Sequence, residues 1–504
     1  MPQKTFQIYN TLARRIEPIE LMEKNHLRFY ACGPTVYSYA HIGNFRSFLT
    51  ADLILRTAQA IGWKTTYVTN ITDVGHLTQD DIADASGEDR MEKALKSSQG
   101  RQFANIWDLA RFYTAEMLRD WQELNLREPD VRPRATEHVS QQIRAIEVIL
   151  ENGHGYETDR GVYFSVASFP DYGKLSGNTI DEDLERAARD VVDDPAKKNP
   201  RDFALWKKDP NHLMLWHSPW GWGFPGWHIE CSAMSQEYLG ESFDLHTGGE
   251  DNKFPHHECE IAQAESITRK PFVRYWIHTR FLQVEGEKMS KSKGNYHTVR
   301  ELIAAEDDGG RGVNPLALRL ALISGQYRNP LNFTFDHLKV SAKHIRRFEE
   351  ATASVEDALK HETNGSDRIG DRLEDLYENA IEAMLDDLNT PAAIAAALEG
   401  VKLIEGMGTN LNAASARSAD TWLRKINDLL GIVRADGVGG RRERDEETDT
   451  SFAVEVERLL AEREEARAAR NYERADAIRA TLDEMNVEVM DSADGTRWRR
   501  KVTV

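Results

Sequence analysis

The feature that most constrains this chain is a change of hydrophobic period near its N-terminus. Residues 27–32 (Leu-Arg-Phe-Tyr-Ala-Cys) are apolar or β-favouring at nearly every place, as a buried strand requires. After Asn44, residues Phe45, Phe48, Leu49 and Leu53 recur at helical spacing and mark one face of a helix. Lys64–Thr72 then returns to a strand-like run. Strand, helix and strand in close succession make a βαβ unit, which predicts a parallel, doubly wound sheet. Ligands of such sheets bind outside the carboxyl ends of the strands. Cys32 and Thr72 sit at two such ends, and His41 lies at the mouth of the helix between them. A helix N-terminus attracts phosphate through its unpaired N–H groups and dipole. The direct expectation is a phosphate-bearing ligand held near a thiol.

Later segments repeat the pattern. Phe243–His246 reads as a strand that breaks into Thr247-Gly248-Gly249-Glu250-Asp251, ahead of a helix starting near Pro255. Phe272–His278 is another strand, and Gln283–Lys288 leads into a lysine-rich loop. Residues 101–125 have helical spacing and should cover one face of the sheet. Between residues 129 and 225 prolines, Gly-Asn turns, charged runs and Trp216, Trp220 and Trp222 mark an insertion. The tryptophans suit either base stacking or the core of a small insert. Residues 300–434 are helix-patterned, with Asn389-Thr390-Pro391 as a helix start. Residues 435–450 carry almost no large apolar side chain and read as a linker. Two helices, about 451–470 and 472–485, and a small β-like end with Trp498 complete the chain.

The expected architecture is thus α/β: a Rossmann-like doubly wound parallel sheet in two halves, 1–128 and 226–299, separated by the insertion 129–225. A helical bundle (300–434), the linker (435–450) and a small α+β module (451–504) follow. With 504 residues the chain is too long for one core. Its apolar runs fall short of the ~18 residues of a membrane helix, and Met1–Phe6 lacks a secretory h-region. Three cysteines give no disulfide framework, which predicts a reducing cytoplasm, and no membrane partner is expected. The net charge of −19 argues on its face against a nucleic-acid partner. Net charge governs solubility and steering, however, and a local basic groove coexists with it; salt adaptation is one reading of the acidic excess.

His41-Ile42-Gly43-Asn44 resembles the HIGH-type motif of class I aminoacyl-tRNA synthetases, and Lys288-Met289-Ser290-Lys291-Ser292 matches their KMSKS motif. Cys-Gly-Pro-Thr-Val-Tyr at 32–37, Gly-Trp-His-Ile-Glu-Cys-Ser-Ala-Met at 226–234 and Phe-Pro-His-His-Glu at 254–258 narrow the resemblance to the cysteinyl-tRNA synthetase family. It runs from about residue 8 to the C-terminus.

The resemblance implies ATP-dependent activation of L-cysteine, with Mg²⁺, and its transfer to tRNA(Cys) by a monomer. It implies that 129–225 is a connective peptide, that the bundle lies along the tRNA, and that 451–504 recognises the anticodon. His41 and Asn44 are then expected at the triphosphate and Lys288 and Lys291 at the pyrophosphate as charge develops. Asn44 stands where the motif ends in histidine; an amide donates a hydrogen bond but carries no proton. For cysteine the resemblance points to Thr72, Trp227, His228, Asp251 and the Gly33 backbone, Asp251 on the ammonium and Trp227 with His228 as walls. The blander alternatives are a core tryptophan and a helix-capping aspartate.

One zinc per chain is implied at Cys32, Cys231, His256 and Glu260. His256 and Glu260 are i and i+4 on one helix, and two thiolates, an imidazole and a carboxylate suit zinc. Without a CxxC pair the spacing alone would not single these residues out. Zinc prefers thiolate to hydroxyl, which would separate cysteine from serine where a pocket gains only about 1–3 kcal/mol. Cys259, three residues after His256, is either a further ligand or a small buried residue. Two other readings share these motifs: a mycothiol-type ligase joining cysteine to an amino-sugar inositol, which has no use for residues 451–504, and a non-catalytic RNA-binding paralogue, which has no use for His41 and the lysines.

Overall fold

The computed structural model describes residues 4–74, 77–79, 86–177, 196–361, 363–433, 443–469, 471–485, 487–492 and 495–500. Its centre is a four-stranded parallel sheet of β1 (His26–Ala31), β2 (Lys64–Thr69), β3 (Phe243–Gly249) and β4 (Val273–Thr279), in the order β4-β3-β1-β2. The interior strands are apolar on both faces, as a covered parallel sheet demands: Leu27, Phe29, Tyr30, Phe243 and Leu245 are all buried. Leu245 stands beside Phe29, and Tyr30 beside Val68. β1 runs one residue earlier than the sequence suggests at 27–32 and β2 is shorter than 64–72, because Cys32 and Thr72 turn into the loops at the carboxyl edge of the sheet. Thr72 still makes an isolated bridge with Thr35 there.

The β1–β2 crossover is α1 (Ile42–Ala60), buried over most of its length. Beyond β2 come the short α2 (Arg90–Lys96) and α3 (Ile106–Glu123), the latter apolar on the stripe Leu109, Tyr113 and Met117. The inserted segment builds an antiparallel sheet of Gly155–Glu157, Gly161–Phe164, Phe203–Lys207, Trp216–Ser218 and Gly221–Pro225, while residues 178–195 lie outside the described residues. Trp216 packs edge-on against Trp107 and Trp220 tilts against Trp206, so both belong to local packing. Trp222 is 59% exposed. The chain re-enters the sheet through α4 (Trp227–Leu239) before β3 and α5 (His256–Thr268) before β4.

The 300–434 region is helical with one exception. Leu331–Phe333 is a strand that pairs in parallel with Leu282–Val284, giving the lysine-rich loop a small sheet of its own together with Glu287–Lys288. The helices are α6 (Pro315–Ile323), α7 (Phe335–Lys360), α8 (Gly370–Leu385), α9 (Thr390–Met407) and α10 (Ala413–Leu430). Asn389 caps α9 through Ala392 N–H, as its place before Thr390-Pro391 predicts.

A buried polar joint ties this bundle to α1. Asp52 on α1 holds Arg56 at 2.7 Å and also Arg319 of α6; Arg319 in turn donates to the Leu430 carbonyl at the end of α10 at 2.9 Å. All three side chains are buried, so each charge is compensated inside the protein rather than by water.

At the C-terminus α11 (Glu443–Ala468) begins inside the expected linker, whose first half, 435–442, lies outside the described residues. With α12 (Tyr472–Glu484) and the hairpin Val487–Ser492/Gly495–Arg500, α11 forms a separate small core of Val456, Leu459, Ile478, Leu482 and Val487. Lys501 lies outside the described residues.

Candidate activation and metal site

The site is built where β1 ends. Cys32 N–H still donates to the Thr247 carbonyl of β3, and the chain then turns out of the sheet at Gly33. A Cβ on Gly33 would lie 1.6 Å from the Asn70 carbonyl oxygen, so only glycine fits. Its N–H donates to Asn70 Oδ1 at 2.8 Å. The loop ends at His41, the N-cap of α1. Asn44 N–H donates to His41 Nδ1 at 3.1 Å and Asn44 Oδ1 accepts the His41 N–H at 3.2 Å, a closed capping box. Nδ1 therefore accepts, which leaves the proton of a neutral imidazole on Nε2. Burial, aided by the Lys291 charge, lowers the His41 pKa to about 4. The first turn of α1 contains no acidic residue, so its positive end is uncompensated by side-chain charge.

The lysine-rich loop closes on the same place. Tyr296 meets the His41 ring edge-on at 5.3 Å, and Lys291 Nζ lies 4.9 Å from the Tyr296 ring centre. Ser290 N–H donates to Asn295 Oδ1 at 2.8 Å and fixes the bend. Lys288 lines the cleft between this loop and β1, whereas Lys291 does not line it and lies over the ring of Tyr296, which does.

That cleft has a volume of about 400 Å³. At one end are His41, Asn44 and Lys288; at the other are Cys32, Cys231, His256, Trp227 and Asp251. Gly33 and Thr72 also line it. A second depression of about 320 Å³, between the starts of α8 and α10, holds none of the expected residues.

Cys32, Cys231, His256 and Glu260 offer four donor atoms all within 4.8 Å of one another, and all four residues face this end of the cleft or lie just beneath it. Cys32 Sγ is 3.8 Å and His256 Nε2 3.0 Å from Glu260 Oε1. The other Glu260 oxygen accepts from His246 Nε2 at 2.9 Å. Burial disfavours the Glu260 charge, but His246 and His256 outweigh it and lower its pKa to about 2. A carboxylate ionised in a sealed pocket, beside two thiols, is a charge arrangement suited to a cation. Cys32 is pushed up by burial and Cys231 pulled down by its hydrogen bond with Cys32.

Cys32, His246, His257 and Glu260 form a second convergent set, sharing two members with the first. His246 and His257 are wholly buried; His246 stacks on Trp276 at 4.6 Å, and His257 Nδ1 pairs with His278 Nε2 at 2.8 Å. These two belong to the floor beneath the cleft, since neither lines it.

The remaining expected residues divide. Trp227 stacks on His256 at 4.2 Å and borders the cleft. His228 does not: it is buried, and its Nδ1 lies 2.8 Å from His256 Nδ1, bracing a neighbour rather than walling a pocket. Asp251 sits on a short turn, Glu250–Lys253, whose N-cap is Gly249, so it is not a helix cap. Cys259 is absent from both donor sets; it is fully buried with its Sγ 3.4 Å from the Tyr172 hydroxyl. Sequence reasoning missed His246, His257 and Glu230. Glu230 is buried against Thr72 Oγ1 at 3.1 Å, and burial raises its pKa well above the carboxylate range. The one sequence signal for Glu230 was its place beside Cys231 in an otherwise core-like helix.

Residues 18–343 match the family model for the class I (C) tRNA synthetase catalytic domain, 379–434 that for the DALR domain, and 449–499 that for the cysteinyl-tRNA ligase anticodon binding domain. A cysteine–tRNA ligase of Salinibacter ruber is 58% identical over the full length of both chains. One of Chlorobaculum tepidum is 39% identical, over 99% of each. Among solved structures, Mycobacterium tuberculosis methionyl-tRNA synthetase in complex with methionyl-adenylate aligns with a TM-score of 0.54 at 12% identity, covering 81% of this chain and 92% of its own, a likeness of fold.

Proposed function

Since the chain belongs to the cysteine–tRNA ligase family, with cysteine joined to tRNA as its reaction, we propose that both steps run in the cleft between β1, α4 and the lysine-rich loop. In the first step a carboxylate oxygen of L-cysteine attacks the α-phosphorus of ATP, presented with Mg²⁺, and pyrophosphate leaves. In the second a ribose hydroxyl at the 3′ end of tRNA(Cys) attacks the activated carbonyl and AMP leaves.

The observation that carries the reading is the convergence of two thiols, an imidazole and a buried carboxylate at one end of the cleft whose other end is a helix N-terminus and a lysine loop. Cys32, Cys231, His256 and Glu260 would hold one zinc ion, and the donor set fits it in softness, number and burial. Zinc supplies a soft Lewis acid that binds thiolate far better than hydroxyl, and so a preference for cysteine over serine. The His246 and His257 set is the poorer host, because it offers one thiol rather than two and those rings are buried below the cleft, away from an entering substrate.

The chain's own groups do the rest. Asp251 receives the ammonium and Trp227 closes the pocket. His41, neutral at working pH, donates from Nε2 to a phosphate oxygen, and the α1 N-terminus adds its dipole. Asn44 holds that imidazole in place. Lys288 and Lys291 neutralise charge that grows on the leaving pyrophosphate, which costs least when the cations are already in position. Residues 300–434 would lie along the tRNA and 451–504 would read the anticodon. We further propose a monomer in the cytoplasm, in keeping with three cysteines that form no disulfide; among the described residues no helix is long and apolar enough to cross a membrane.

The test is cysteine-dependent exchange of pyrophosphate into ATP by the purified protein, with serine as the competitor. Lys291→Ala should keep zinc and fold and lower the exchange rate by about 10²-fold. Exchange supported by serine and not by cysteine overturns the reading, and an unchanged rate in Lys291→Ala removes the loop from it.

A further inference from the structure

The cleft contains a cation that neither motif includes. Arg90, the first residue of α2, lines the same cavity as His41, Asn44 and Lys288. Its Nη1 donates to the Tyr37 hydroxyl at 2.9 Å, and its guanidinium carbon lies 5.5 Å from the Tyr37 ring centre. Tyr37 belongs to the loop that runs from Cys32 to the His41 cap. We propose that Arg90 is a phosphate-binding residue of this cleft, gripping the triphosphate of ATP together with Lys288, and that Tyr37 is its positioning residue.

Arg90 is held from both sides of its backbone. Asp89 Oδ1 accepts the N–H groups of Met91 and Glu92 at 2.8 and 2.9 Å, which fixes the start of α2. The other Asp89 oxygen lies 3.3 Å from His212 Nε2 of the inserted segment, and Met91 is fully buried. A side chain rising from such an anchor has little freedom to lose when it binds, which is what preorganised charge requires.

Charge along the cleft separates into two ends. Among the described lining residues the carboxylate is Asp251, which acts on the Cys32 thiol at the donor end, while Arg280, also in the lining, is engaged by Glu250. The opposite end gathers His41, Arg90 and Lys288, with Lys291 behind Tyr296. Tyr296 touches His41 and Lys291 by its ring and lies within electrostatic reach of Arg90 and of the Glu301 carboxylate, so Arg90 stands at this end of the cleft. A planar guanidinium offers two parallel donors to two phosphate oxygens, a grip that the point charge of a lysine lacks. The lysine loop and the helix mouth approach the triphosphate from two segments, and Arg90 adds a third.

The assignment rests on ATP occupying this cleft, as proposed above, and its test includes a binding measurement that does not depend on cysteine. ATP affinity is read by calorimetry on the full-length, zinc-loaded protein, beside the kcat and KM of pyrophosphate exchange. Arg90→Ala should weaken ATP binding at least about tenfold and lower exchange kcat/KM for ATP by about 10²-fold, with zinc content and thermal unfolding unchanged. Arg90→Lys should recover part of both, and Tyr37→Phe, which keeps the ring, should lose less than Arg90→Ala. ATP affinity unchanged in Arg90→Ala overturns the assignment, including the case in which only tRNA charging falls, which would place the guanidinium on the tRNA. A loss that comes with lowered thermal stability and no recovery by lysine also overturns it, leaving Arg90 as a tether between α2 and the loop. If the wild-type protein binds ATP but shows no cysteine-dependent exchange, the reaction proposed above falls, while the ATP affinities still decide for or against Arg90.

Discussion

Asn44 and His41 hold one another: the Asn44 amide oxygen accepts the His41 N–H, and the Asn44 N–H donates to His41 Nδ1. Asparagine in place of the motif's last histidine thus gains a structural task, its amide oxygen fixing the start of α1, while the backbone N–H of residue 44 sets the tautomer of the His41 imidazole. Asn44→Ala should cost about 1 kcal/mol in that cap, visible as faster amide hydrogen exchange over residues 41–45, and should slow pyrophosphate exchange. Asn44→Asp keeps the acceptor and should restore the cap, yet depress exchange by placing a negative charge beside the triphosphate. Equal activity in both variants would separate the cap from catalysis.

The lowered pKa of His41 sets a direction for acid sensitivity. Its folded value of about 4 lies below the unfolded 6.5, so as pH falls the unfolded chain takes up the proton first. The stability involved is complete above pH 6.5 and is lost as pH falls towards 4, by up to about 1.4 kcal/mol per pH unit. His41→Asn has no such proton to take up, so on going from pH 7.5 to pH 5 it should lose less stability in urea unfolding than the parent. An equal loss would mean that His41 titrates normally.

Metal content separates the three cysteines. The purified protein should carry about one zinc per chain, and Cys32→Ser should bind it far more weakly, since hydroxyl is a poor substitute for thiolate. His246→Ala, which frees the second oxygen of Glu260, should weaken zinc by about 10- to 100-fold. Cys259→Ser should leave zinc unchanged, because that sulfur faces Tyr172. Zinc lost from Cys259→Ser and kept in Cys32→Ser would mean that the ion sits elsewhere.

The C-terminal module has its own core, separate from the one that runs through sheet and bundle. Deleting residues 443–504 should leave pyrophosphate exchange within about twofold of the parent and lower the charging of tRNA(Cys) by an order of magnitude or more. Collapse of exchange in the deletion would show that the module supports the catalytic cleft.

Much of the site is legible in the chain because its signals are local. The switch from strand to helix period around Cys32–Leu53 fixes one crossover of the sheet, and the i, i+4 spacing of His256 and Glu260 puts both on one face of α5. The blocks at 32–44, 226–234 and 288–292 name the chemistry because each is a short run with its residues in fixed order. Even Asn389 could be placed, since a cap acts within three residues of itself.

What the sequence by itself determined, then, is which residues stand at strand ends and helix mouths. Only the tertiary structure decided which of those ends meet. The order β4-β3-β1-β2 sets the end of β1 beside β3, and so brings Cys32 within reach of Glu260, which lies 228 residues away along the chain. His246 and Arg90 carry no local pattern that marks them, and Glu230 only its place beside Cys231. Their roles arise from burial and from partners on other segments: Glu260, Thr72 158 residues from Glu230, and Tyr37 53 residues from Arg90. His228 shows the converse, a motif residue that packing turns away from the cleft to brace His256. The physical reason is range. Propensity and capping act over a few residues and can be read along the chain, whereas desolvation and donor convergence depend on neighbours that only the packed sheet supplies.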